Sequence, residues 1–109
     1  MLVALPTVGH EGLEDVICKK FARAPYFTIL EIGEEGFKVV KIVKNEYAHL
    51  SYGVGPIIVK MLKDLGVNVI GLPEAGVGVK QLIRELGMSY FETEAGLTVR
   101  EVLERLGEK

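Results

Sequence analysis

The chain has 109 residues, thirteen Lys or Arg against fifteen Asp or Glu, a net charge of −2 and a single cysteine, Cys18. That balance, with no basic run longer than Lys19-Lys20, argues against a nucleic-acid partner, and one thiol excludes both an internal disulfide and a cluster held by four thiolates of one chain. No segment approaches the roughly 20 apolar residues of a membrane helix, so we expect one soluble cytoplasmic domain over residues 1–109, with no membrane partner.

Leu2-Val3-Ala4-Leu5 is apolar without alternation, which predicts a strand covered on both faces and ending at Pro6. After a polar loop, Tyr26 to Ile32 and Phe37 to Lys44 are rich in aromatic and β-branched residues. Gly33-Glu34-Glu35-Gly36 joins them as a hairpin. Lys38, Lys41 and Lys44 mark the second of these strands as an edge.

The period then changes. Ile57, Ile58, Met61, Leu62 and Leu65 recur at helical spacing, with Pro56 suited to the first helical position and Gly66 as the stop. Val67 to Leu72 reads as a strand, Val79, Leu82, Ile83 and Leu86 as a helix stopped by Gly87, and Met88 to Phe91 as a short last strand. Thr98 with Glu101 is a capping box opening a final helix whose apolar face is Val99, Val102, Leu103 and Leu106. The order β, β, β, α, β, α, β, α predicts an α/β fold. It is a five-stranded mixed sheet, an antiparallel meander followed by βα units, with the first strand near the middle and helices on both faces, the plan of the ribonuclease H-like motif. In such sheets ligands collect at the strand ends beside helix N-termini. The loops after Leu5, before Pro56, around Gly76 and around Gly96 are expected to share that rim.

Several chemistries fail on residue type. The first strand carries no carboxylate for the paired metal ions of a nuclease. Gly71 to Gly76 has the spacing of a phosphate loop, yet Val77-Gly78 stands where Lys and Ser or Thr belong. Gly53-Val54-Gly55 lacks the third glycine of a dinucleotide turn, and Ser51 near His49 has no strained elbow or acidic partner. What remains is His49 on a glycine-rich loop, with Gly53 and Gly55 free of Cβ atoms before a helix start that favours an anion. His10 reads as a plain loop residue, and Cys18 as either a small buried hydrophobe or a thiolate favoured by Lys19 and Lys20.

Phe21-Ala22-Arg23-Ala24-Pro25-Tyr26-Phe27, Asn45-Glu46-Tyr47-Ala48-His49 through Pro56, Ala4-Leu5-Pro6-Thr7, Leu65-Gly66-Val67 and Thr98-Val99-Arg100-Glu101 together resemble the dinitrogenase iron-molybdenum cofactor biosynthesis family over nearly the whole length. The resemblance implies a ribonuclease H-like fold and a non-enzymatic protein that binds or carries an anionic iron-sulfur or iron-molybdenum-sulfur cluster or its precursor. Many relatives read Ser-x-His-Phe-Gly-Arg-Ala-Pro where this chain has Cys18-Lys19-Lys20-Phe21-Ala22-Arg23-Ala24-Pro25, so Lys20 replaces an imidazole. On that reading His49 or Cys18 is the metal ligand, Lys20 and Arg23 pair with the anion, and Gly53 and Gly55 supply the backbone cradle, with a protein partner in cofactor delivery. The alternative is a metal-free regulatory or protein-interaction module of the same fold.

Overall fold

The computed structural model describes residues 1–107. β1 (Leu2–Thr7), β2 (Tyr26–Gly33) and β3 (Gly36–Lys44) come first, followed by α1 (Val54–Asp64), β4 (Val69–Leu72), α2 (Val77–Glu85), β5 (Ser89–Glu92) and α3 (Val99–Gly107). The sheet order is β3-β2-β1-β4-β5. β1 pairs antiparallel with β2 and parallel with β4, β2 with β3 antiparallel, and β4 with β5 parallel. This is the expected mixed sheet with β1 at its centre.

Burial explains the sequence pattern. Val3, Ala4 and Leu5 are fully buried because β1 is covered from both sides. Ala4 packs with Phe27, Ile29, Ile70 and Leu72 under α1 and α2, which contribute Ile58, Val59, Leu62 and Ile83. Val3, Leu5 and Leu30 face α3 through Val99, Val102 and Leu103. β3 is an edge, and its three lysines are exposed.

A bulge in β3 carries out a change of face that alternation alone does not give. Ile29 pairs with Lys41 and Leu30 with Val39, so Val40 is extra and stands out to solvent. One inserted residue reverses the parity of the strand beyond it. Phe37 and Val39 therefore pack on the α3 side, whereas Val43 packs on the α1 and α2 side.

Several strand boundaries differ from the expected ones. β1 continues through Pro6, which pairs with Phe27, instead of ending there. The Pro6 carbonyl accepts from Cys18 N–H at 2.9 Å, on the side away from β2, and a residue's N and C=O point the same way along a strand. The missing Pro6 donor thus lies past the β1–β4 ladder, whose partners are Val3 with Val69 and Ala4 with Ile70, on the side where Cys18 pairs instead. β4 and β5 start later than expected because α1 and α2 close with the same left-handed turn. Gly66 and Gly87 have φ of 88° and 79°. Val67 N–H reaches back to Leu62 O at 3.1 Å, and Met88 N–H to Ile83 O at 3.0 Å. Those amides belong to the helix ends, and only the residues beyond join the sheet.

Gly71, in the middle of β4, has a packing reason for lacking a side chain. A Cβ there would collide with Leu5 Cδ2 and come within 3.0 Å of the Phe91 ring.

Candidate functional site

Residues 16–25 form a strap across the carboxyl-end rim, and its backbone joins the loops ahead of all three helices. Ile17 donates to Leu97 O at 2.8 Å and accepts from Gly96 N at 3.1 Å, next to the start of α3. Lys19 O accepts from Glu74 N and Phe21 N donates to Glu74 O, each at 3.1 Å, next to the start of α2. Pro25 O accepts from Asn45 N at 2.9 Å, where the loop to α1 begins. The expected sharing of one rim by these loops is realised through this segment.

The strap is anchored by its apolar residues. Ile17, Phe21 and Ala24 are buried, and Phe21 meets Phe27 edge to face at 5.6 Å between ring centroids. Between these anchors Lys19, Lys20 and Arg23 turn outward. Lys20 and Arg23 line a cleft of about 350 Å³ whose other wall is Glu74, Ala75, Gly76 and Val79.

The start of α2 borders this cleft, and the start of α1 packs beside it against Val79. α2 is capped by Gly76, and its first turn closes with Val79 N–H on Gly76 O at 3.2 Å, which leaves the Val77 and Gly78 amides ahead of the ladder. A Cβ at Gly76 or Gly78 would meet nothing within 4 Å, so this turn is open. α1 begins at Val54, not at Pro56, with Gly53 as a left-handed cap at φ 68°. Its first helical bond is Ile57 N–H to Gly53 O at 3.4 Å, so Pro56 occupies the third helical position and removes one of the orphan donors. The amides of Val54 and Gly55 remain. Gly55 also has a packing use, since a Cβ there would lie 2.6 Å from Val79 Cγ2. That contact is what brings the two helix starts together.

The remaining candidates sit as follows. His49 is exposed at the end of the turn Glu46–His49, in the loop leading to α1. Arg23 donates through Nη1 to Ala48 O at 2.7 Å and to Leu50 O, and through Nη2 to Ser51 O at 3.5 Å, so its guanidinium is tied to the loop that carries His49. Cys18 is half-buried against the core beneath α1 and α2. Lys20 is exposed, and among the described residues the ion pairs are Lys80–Glu92 and Arg100–Glu14, which leaves its ammonium without a carboxylate partner. His10 lies apart, edge to face on Tyr26 at 5.2 Å. Among the described residues no three His, Cys, Asp or Glu side chains gather closely enough to hold a metal ion. The donor set therefore suits an anion that brings its own metal ligands better than a bare cation.

Two polar residues that shape the rim were given no role by sequence pattern. Asn45, buried, donates from Nδ2 to Ala22 O at 3.1 Å and Ala24 O at 2.9 Å while its Oδ1 accepts from Tyr47 N–H. Asp15, also buried, accepts from the amides of Gly9, Glu11 and Val16 and so shapes the loop after β1. An Asp or Asn beside glycines is a turn signal, but its distant partners are not readable locally. Tyr52 and Val77, 90% and 83% exposed, flank the two helix starts. A larger groove of about 470 Å³ lies between β5 and α3 over the opposite face, but no imidazole, thiol or lysine lines it.

No described helix is long and apolar enough to cross a membrane. The sequence profile of the family described as dinitrogenase iron-molybdenum cofactor matches residues 1–109. Among solved structures, the chain is similar to the apo form of the orange protein from Desulfovibrio gigas, with 24% identity, a TM-score of 0.86, and 98% of this chain and 87% of that one covered. It is also similar to a putative NifB protein from Thermotoga, with 29% identity, a TM-score of 0.76, and the same coverages of 98% and 87%. No match was found among curated proteins.

Proposed function

The chain belongs to the dinitrogenase iron-molybdenum cofactor family, and from that premise we propose that it is a non-enzymatic binding or carrier protein for an anionic iron- or molybdenum-sulfur cluster or its precursor. Membership itself gives a cofactor-related binding or accessory role; the carrier function and the nature of the cargo are our reading. The observation that carries it is the open cleft of about 350 Å³ with the unpaired Lys20 on one wall and the glycine-lined start of α2 on the other. Cation, helix dipole and free amides all favour negative charge there. The cargo keeps its sulfide ligands and is held by charge and backbone donors, with His49, on the loop that Arg23 holds, as the side chain able to add a metal bond and Cys18 as the thiol of the strap itself. The likeness to a putative NifB protein agrees with this reading.

Anaerobic mixing with tetrathiomolybdate, with and without ferrous iron, followed by gel filtration and metal analysis tests it. Molybdenum or iron eluting with the protein is the expected result; its absence from the protein fraction under strict anaerobiosis ends the cluster reading. A second reading, a metal-free interaction module, draws on the exposure of Tyr52 and Val77 at the same rim. It predicts a partner whose binding needs those two side chains and is indifferent to thiomolybdate.

A further inference from the structure

The loop from Asn45 to Gly53 has little of its own to hold it in place. Glu46, Tyr47, His49, Ser51, Tyr52 and Gly53 are all exposed, and apolar anchoring comes from Leu50 and from Val54 at the helix start. Segments so poor in buried contacts open at low cost unless polar ties hold them. Here the ties come from the strap. Arg23 spans three carbonyls of the loop, Ala48, Leu50 and Ser51, within five residues of the α1 cap. A planar fork fixes several acceptors at once, which a point charge on a flexible stem does not.

We infer that Arg23 is a positioning residue for the anion cradle: it serves the cleft through the Ala48–Ser51 backbone that it holds, setting the α1 amides and His49, and not as a direct anion contact. Lys20, on the same strap and without a carboxylate partner, is the direct one. This rests on the cluster-carrier reading for its ligand, but the ordering of the loop by Arg23 stands on the geometry alone. If loss of the fork leaves the loop in its competent arrangement one-tenth of the time, apparent affinity falls about tenfold. Where the charge is kept and only the fork is lost, the dependence of affinity on salt keeps the wild-type slope.

The experiment compares wild type, Arg23→Gln, Arg23→Lys and Lys20→Gln in two measurements. The first is anaerobic titration with tetrathiomolybdate over a range of sodium chloride concentrations. The second is amide hydrogen exchange without any anion. Arg23→Gln is expected to speed exchange across 46–53 and weaken binding at least tenfold. Arg23→Lys, which keeps the charge and loses the fork, is expected to speed exchange likewise and weaken binding about tenfold at an unchanged salt slope. Lys20→Gln is expected to flatten the salt slope and leave exchange alone. The inference is overturned if Arg23→Lys restores wild-type affinity, or if Arg23→Gln flattens the slope with exchange unchanged. Should wild type fail to bind, the cluster reading falls, and the exchange data alone decide whether Arg23 orders the loop.

Discussion

Arg23 and Asn45 tie the same two segments together in opposite directions. Asn45, at the start of the loop to α1, donates to the Ala22 and Ala24 carbonyls on either side of Arg23, while Arg23 donates to the Ala48, Leu50 and Ser51 carbonyls downstream of Asn45. Asn45 is buried and Arg23 is exposed, so the inner tie is shielded from water and the outer one competes with it.

Asn45→Ala leaves the buried Ala24 carbonyl, the partly buried Ala22 carbonyl and the Tyr47 amide without their partner. We expect a loss of about 2 kcal/mol in urea denaturation. Asn45→Asp should be worse at neutral pH, because a carboxylate then faces the two carbonyls that Nδ2 served. Equal stability of Asn45→Ala and wild type would show that the inner tie contributes nothing.

Gly55→Ala sets a methyl against Val79 Cγ2 and should cost about 2 kcal/mol by overpacking. Val79→Ala in the same chain should return part of that loss, a coupling readable from a double-mutant cycle. Additive effects would mean that the two helix starts do not depend on this contact.

The α3 cap gives a pH signature. The Thr98 backbone N–H, and then the Thr98 hydroxyl, hold the Glu101 carboxyl below its ordinary value of 4.5. A depressed carboxyl contributes stability that is present above its unfolded pKa and is lost as pH falls through the folded one. The stability gap between wild type and Glu101→Gln should therefore be open at pH 6 and shrink on acidification below 4.5 in thermal melts. Thr98→Ala should cost about 1 kcal/mol at neutral pH.

His49→Ala tests the imidazole directly. If the exposed ring contributes a bond to the cargo, the variant should co-elute with less molybdenum than wild type after anaerobic loading, with an unchanged melting curve because His49 is not part of the core. Equal metal retention removes His49 from the site and leaves charge and backbone to hold the anion.

Most of the fold was legible because each element carries a local pattern. The unbroken apolar run of β1, the helical spacing in α1 and α2, and the Thr98–Glu101 capping box each state which faces are covered and where a helix begins. The gathering of the pre-helix loops at one rim was legible too, because the connections of an α/β sheet that precede helices lie at the carboxyl ends of its parallel strands. The misplaced boundaries have structural causes: Pro6 stays in β1 because its bare side faces past the β1–β4 ladder, and Pro56 lies inside α1 because Gly53 takes the left-handed cap.

The sequence by itself thus determined the element order, the central strand, the edge strand and the absence of nuclease or nucleotide-loop residue sets. Only the tertiary structure decided that residues 16–25 strap the rim, that Asn45 and Asp15 order its loops, and that Gly55 and Gly71 serve packing. The physical reason is range. Periodicity records whether a side chain meets water or core, a property of its own element. Which carbonyl a guanidinium or amide reaches 21 to 28 residues away, and where two backbones touch, depend on how finished elements pack.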